Sequence, residues 1–301
     1  MGTTWTVKLV LPSEESLPAI RAGIERQLDL VVNQMSTWEE HSHLSRFNRA
    51  RPGTRPQLPP EFYRVLEYAL SVAQDTGGAY DPTAGPLVNL WGFGPQYPRT
   101  TPPVATLIDE VRERTGWWRI QLDPETGTAL QPGGIYLDLS AVAKGYAVDR
   151  IAGFLGDSGV ASYLIETGGE LRGAGFKPDA HPWWVGIEQP PGFESCPETI
   201  VACFGISVAT SGDYRRYFEQ GGRRYSHTID PRTGYPVRHN LASVTVLHES
   251  CMAADALSTA LTVLGPEDGF AFATRNNLAA HFLERAPPRE QLTPAFAEMA
   301  A

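Results

Sequence analysis

Asp255 and Thr259 stand four residues apart in the run Met252-Ala-Ala-Asp255-Ala-Leu-Ser-Thr259-Ala-Leu. On an α-helix that spacing places two oxygen-bearing side chains one turn above the other. Ala256, Leu257, Ala260, Leu261 and Leu264 cover much of the remaining helix surface, so burial is expected. A carboxylate removed from water needs a partner, and a metal ion is an adequate one. Loop capping by Asp255, with Thr259 bonded back to a carbonyl, would satisfy the same groups. The helix alone leaves both readings open.

A second candidate is Lys144. Ile135, Leu137 and Leu139 alternate at strand spacing, and Val148, Ile151, Ala152 and Leu155 follow at helical spacing. The stretch from Gly134 to Leu155 therefore predicts a strand, a tight turn and a helix that opens near Ala141. Lys144 falls in the first helical turn, where a cation is unfavourable unless an anion binds there. Only three of the 25 basic residues are lysines (Lys8, Lys144 and Lys177). A compact ammonium at that place suits a phosphate, although a solvated helix-end lysine would look the same.

Further segments carry aromatic, carboxylate and imidazole groups: Met35-Ser-Thr-Trp38, Leu44-Ser-Arg-Phe-Asn48, Gly77-Gly-Ala79-Tyr80-Asp81-Pro-Thr83 and Leu90-Trp-Gly-Phe-Gly94. Later come Ala209-Thr-Ser-Gly-Asp-Tyr214 and Tyr225-Ser-His227-Thr-Ile-Asp230-Pro-Arg-Thr-Gly234. In this order and spacing, from Met1-Gly-Thr to the Asp255 helix, they resemble the FAD:protein FMN transferases of the ApbE type. The resemblance covers nearly the whole chain. It implies that Met1, Trp38, Ala79, Tyr80, Asp81, Asp138, Lys144 and His227 contact FAD. It also implies a Mg²⁺ ion held by the carbonyl of Ala141 and the side chains of Asp255 and Thr259; all three are oxygen ligands, as that ion requires. Glu170 follows Gly169 where the family more often has Asp, a difference in side-chain length.

The implied reaction transfers the FMN moiety of FAD to a Thr or Ser hydroxyl of an acceptor flavoprotein and releases AMP. A subunit of a membrane redox complex is one acceptor the resemblance suggests. His227 is the candidate to remove the hydroxyl proton, with a purely binding role as the alternative. Trp38 offers a flat face for a ring system, and in the family an aromatic here accompanies transfer rather than hydrolysis. An FAD pyrophosphatase yielding FMN and AMP would use the same site; a non-catalytic FAD-binding protein, the other alternative, would need neither the Asp255 helix, Lys144 nor His227.

Composition narrows the alternatives. A net charge of −9 without a basic run argues against a nucleic-acid partner. Three cysteines lacking a Cys-x-x-Cys pair build neither a disulfide framework nor a zinc site. No apolar run is long enough to span a bilayer. An export or lipoprotein signal upstream of Met1 would place the protein in the periplasm or cell envelope; otherwise it is expected in the cytoplasm. The glycines at 77–78, 168–169 and 173–175 do not form a Gly-x-Gly-x-x-Gly fingerprint, which disfavours a Rossmann site.

Amphipathic periodicity predicts helices over Ala19–Met35 and Glu61–Asp75, then around Ala253–Leu264 and Glu267–Arg275. Strands are predicted at Thr3–Leu11, Ser162–Glu166, Trp183–Glu188, Ile200–Ala209, Arg223–Ile229 and Leu241–Leu247, with a loop at Thr210–Tyr214. Partial segregation of strands from helices favours an α+β fold with mixed or antiparallel sheets and packed helices. The resemblance adds two lobes around a flavin cleft, within one catalytic domain over residues 1–301.

Overall fold

A computed structural model describes residues 3–11, 13–95, 98–194, 196 and 198–299. Its largest sheet has seven strands: β1 (Trp5–Leu9), β2 (Tyr163–Thr167), β3 (Glu170–Ala174), β4 (Ile206–Gly212), β5 (Leu241–His248), β6 (Ala279–Arg285) and β7 (Pro288–Leu292). Each strand lies beside the next, and every pair is antiparallel. The sheet is thus a meander, opened by long insertions rather than by crossovers. The α+β expectation holds, with an antiparallel rather than mixed main sheet.

The insertion between β1 and β2 carries helices α1 (Leu17–Met35), α2 (Pro60–Asp75) and α3 (Ala143–Asp157). Ile20, Ile24, Leu28, Val31 and Met35 of α1 turn inward as the periodicity predicts, and Val32 is half-buried. Phe62, Val65, Leu66, Ala69, Val72 and Ala73 of α2 join the same core. Full burial of each large aliphatic or aromatic side chain here stabilises the fold by about 1.5–3 kcal/mol.

Helix α4 (Cys251–Arg275) packs on β4, β5 and α3. Gly265, at φ 89°, breaks it ahead of Pro266, which accounts for the two separate helices the sequence predicts. Its N-terminus is tied to α3 by Asp149. One carboxylate oxygen accepts from the Cys251 N–H at 2.9 Å, and the other from the Met252 N–H at 3.0 Å and the Ser250 hydroxyl at 2.8 Å. Such capping is worth about 0.5–2 kcal/mol. Gly145 permits the contact: a Cβ there would lie 2.2 Å from the Cys251 carbonyl oxygen. The two helices therefore meet backbone to backbone where Lys144 and Asp255 emerge.

Several predicted strands differ. Residues 134–139 form no ladder, although Ile135, Leu137 and Leu139 are buried. The Leu137 N–H donates to Asn48 Oδ1, Asn48 Nδ2 donates to the Leu137 carbonyl, and Gln131 Nε2 donates to that of Ile135. Side chains replace a neighbouring strand, so alternation reports burial rather than sheet membership. Ile200–Ala209 divides at Gly205, φ 73°, into Ile200–Cys203 and β4, which belong to different sheets. Arg223–Ile229 divides at His227 into Arg223–Ser226 and Ile229–Asp230. Thr210–Gly212, predicted as loop, completes β4, where the Thr210 and Thr245 hydroxyls pair at 2.8 Å.

Candidate active site

Lys144 is held between two buried carboxylates. Its Nζ donates to Glu170 Oε1 and lies 3.3 Å from Asp255 Oδ1; the Lys144 side chain is 30% exposed, those of Glu170 and Asp255 only 5% and 4%. Burial opposes the charge on Lys144, yet Asp255 and Glu170 together raise its pKa above the ordinary lysine value. Lys144 is therefore an ammonium throughout the physiological range. Burial pushes the Glu170 carboxyl up to about 7, against the attraction of Lys144. Glu170 Oε2 is buried without a hydrogen-bond partner among the described residues.

The other oxygen of Asp255 accepts from the Gly145 N–H at 3.0 Å. In an uninterrupted helix that N–H would bond to the carbonyl of Ala141. Asp255 has diverted it, and no described group donates to the Ala141 carbonyl. Thr259 sits one turn along α4 with its hydroxyl 2.9 Å from that of Ser211. Among the described residues no cluster of three His, Cys, Asp or Glu side chains could hold a metal. A cation here would depend on the mixed set of carbonyl, carboxylate and hydroxyl oxygens at Ala141, Asp255 and Thr259. The free carbonyl and an all-oxygen donor set fit a hard divalent ion.

A second turn is joined to the segment that leads into α3. The Asp138 N–H donates to the Pro82 carbonyl at 2.7 Å, tying Asp138 to the Ala79-Tyr80-Asp81 segment. Asp138 Oδ1 accepts from the Ser140 N–H at 2.8 Å. Asp81 accepts from the N–H and hydroxyl of Thr83, both at 2.7 Å, and its burial raises its pKa against those bonds. Tyr80 is buried and its hydroxyl has no hydrogen-bond partner among the described residues. Burial raises its pKa well above the usual phenol range, with added repulsion from Asp255, Asp138 and Asp81.

His227 lies in the bend between two short strands. Its Nδ1 is 3.2 Å from the Arg216 carbonyl, and its ring meets Phe93 edge-on at 6.2 Å. Burial first, then the charge of Arg216 and, less strongly, that of Lys144 lower its pKa to about 4. The imidazole is neutral at pH 7, able to accept a proton. Trp38 is 62% exposed in the connection after α1, and its ring makes no aromatic or cation–π contact with another described residue. An uncovered indole of that size suits a planar ligand. Met1 lies outside the described residues.

The fold thus gathers Lys144, Asp255, Ala141, Thr259, Asp138, Tyr80 and Asp81 on adjoining elements, with His227 within electrostatic reach. Sequence reasoning missed Glu170 as the second partner of Lys144 and Asp149 as the tie between α3 and α4. Glu170 follows the Gly168-Gly169 turn, but nothing in the sequence aims it at a lysine 26 residues earlier.

With this geometry established, the comparisons with known proteins are specific. The chain matches the ApbE family over residues 1–282. It is 40% identical over 279 residues to the FAD:protein FMN transferase of Vibrio cholerae serotype O1, covering 92% of this chain and 83% of that protein. The Klebsiella pneumoniae protein of the same name is 39% identical over 287 residues, 94% and 82% of the two chains. The crystal structure of Pseudomonas stutzeri flavinyl transferase ApbE, apo form, superposes with a TM-score of 0.91 at 41% identity, covering 100% of this chain and 94% of that one. Vibrio cholerae flavin transferase ApbE superposes with a TM-score of 0.92 at 36% identity, covering 99% and 96%.

Proposed function

This chain belongs to the ApbE family and is a transferase, and from that premise we propose that it moves the FMN moiety of FAD to a Thr or Ser hydroxyl of an acceptor protein, using Mg²⁺. The observation that carries the reading is Lys144, charged at all working pH and held at the start of α3 by buried Glu170 and Asp255. An ammonium fixed at a helix N-terminus is suited to the pyrophosphate of a dinucleotide.

The roles follow from position. Lys144 and the first turn of α3 neutralise and orient the pyrophosphate, leaving one phosphorus open to in-line attack. Trp38 stacks on a flat ring of FAD, and the Tyr80–Asp81 turn with Asp138 offers acceptors to ring or ribose groups. Neutral His227 takes the proton as the acceptor oxygen bonds to the FMN phosphorus. The bond from that phosphorus to the bridging oxygen breaks, and AMP leaves with the electron pair. Ala141, Asp255 and Thr259 are the residues that would hold Mg²⁺, which when bound offsets charge on the transferring phosphate.

The test is mass spectrometry of acceptor proteins incubated with this protein, FAD and Mg²⁺, with AMP followed in parallel. An acceptor that gains one FMN with matching AMP is the expected result. AMP and free FMN without an adduct would replace transfer by hydrolysis, and bound FAD without turnover would leave a carrier.

A further inference from the structure

Beside the catalytic elements lies a cavity of about 420 Å³ whose walls include Arg223, Arg224, Arg238, Arg285, Asp213 and His239. Arg285 is accounted for: it pairs with Asp213, Nη1 to Oδ2 at 3.1 Å. His239 stays neutral at pH 7, because burial lowers its pKa, and its Nε2 is 2.7 Å from the Thr262 carbonyl of α4. The other three arginines have no carboxylate partner among the described residues. Even Glu219, cross-strand from Arg224, makes no ion pair with it.

Instead each guanidinium lies over a tyrosine ring: Arg223 over Tyr225 at 5.0 Å, Arg224 over Tyr217 at 3.6 Å, and Arg238 over Tyr235 at 5.4 Å. Stacking steadies a guanidinium while leaving its N–H edge free for a bidentate acceptor. Arg224 Nε is buried with no hydrogen-bond partner among the described residues. Arg223 and Arg238 are exposed at the rim. Three arginines without a carboxylate partner among the described residues are lining residues of one cavity, on a chain of net charge −9.

The cavity adjoins the transfer site through its own walls. Ser226 lines it and directly precedes His227. Asp213 lies two residues beyond Ser211, the hydroxyl partner of Thr259. The nucleotide phosphates already have Lys144, whereas exposed rim arginines suit a partner that arrives from solvent. The net charge of −9 disfavours an acidic segment at long range, whereas these arginines attract it locally, which selects orientation as well as partner.

We propose that this cavity is the docking site for an acidic segment of the acceptor protein, with Asp or Glu carboxylates pairing with Arg223, Arg224 and Arg238 and a neighbouring hydroxyl presented to His227. The acceptor's identity as partner rests on the transferase reading; the cavity's preference for carboxylates does not.

The experiment measures fluorescence anisotropy of a short labelled peptide bearing one Thr among Asp and Glu residues, against its Asn/Gln counterpart. Wild type should bind the acidic peptide about tenfold more tightly, with the margin shrinking as salt rises. R223Q/R238Q should erase the preference and R223E/R238E reverse it, while both melt as wild type does and bind FAD with unchanged affinity. Equal binding of the two peptides by wild type, or a preference that survives in both variants, overturns the proposal. So does loss of FAD affinity in R223Q/R238Q, or displacement of the acidic peptide by inorganic phosphate or AMP as readily as by unlabelled peptide, since the cavity would then belong to a phosphate ligand. A protein with this preference but no FMN adduct keeps the cavity and loses the transfer reading; an adduct without the preference loses only the cavity.

Discussion

Two charge clusters in this molecule are built in opposite ways. Around Lys144 the carboxylates outnumber the cation, all partners are internal, and both acids are almost wholly buried. Around Arg223, Arg224 and Arg238 the cations have aromatic rings for neighbours and no ion-paired carboxylate among the described residues. The first cluster carries surplus negative charge, relieved by a proton on Glu170 or by a bound cation. The second carries surplus positive charge and waits for an anion. In each, the sign of the local imbalance indicates the ligand more clearly than the net charge of the whole chain does.

The largest effect is expected from Asp255→Ala, which removes a partner of Lys144, the acceptor for Gly145 and a proposed metal ligand together. FMN transfer measured by mass spectrometry should fall about 10³-fold or more. Mg²⁺ should raise the melting temperature of wild type and leave that of the variant unchanged; a retained Mg²⁺ shift would remove Asp255 from the metal site. His227→Gln should lower kcat by about 10²–10³-fold with FAD affinity nearly intact. Equal loss in FAD affinity would make His227 a binding residue only.

The same histidine has a stability signature. Its pKa is about 4 in the folded protein against an ordinary 6.5, so the unfolded chain takes up the proton first. Stability to urea should therefore decline as pH falls from about 6.5 towards 4, and His227→Gln should flatten part of that decline. An unaltered slope would contradict the burial assigned to its ring.

A smaller effect is expected from Glu170→Gln, which keeps the shape but frees Lys144 from one tether. Transfer should drop about 10–100-fold through kcat, with much less change in KM for FAD. The smallest is Trp38→Ala. Losing one exposed stacking face should weaken FAD binding by about 1 kcal/mol and leave the melting temperature unchanged. A large fall in melting temperature would mean that the indole supports the fold instead.

Parts of this arrangement were legible in the chain. Asp255, Thr259 and Lys144 were found from helical spacing and the scarcity of lysine, and helix α1 from its apolar period, because helical geometry is local. The two helices predicted on either side of Gly265-Pro266 were also legible, since backbone chemistry is local too. Residues 134–139 misled because alternation reports which side chains are buried, not what their backbone bonds to. Nothing local separated Ile200–Cys203 from β4, which join different sheets across one turn. Glu170 stayed hidden because its significance depends on a partner brought by another element.

The arginine cavity shows the limit most clearly. No basic run exists in the sequence, and Arg223, Arg224 and Arg238 are interleaved with ordinary strand and turn residues. The amino-acid sequence by itself determined the main helices and the positions of Asp255, Thr259 and Lys144 on them, because these follow from neighbours a few residues away. Only the tertiary structure decided which charges are neutralised and which are left over. That balance is set by distance and burial between segments far apart in the chain, where Coulomb attraction and desolvation act without regard to sequence separation.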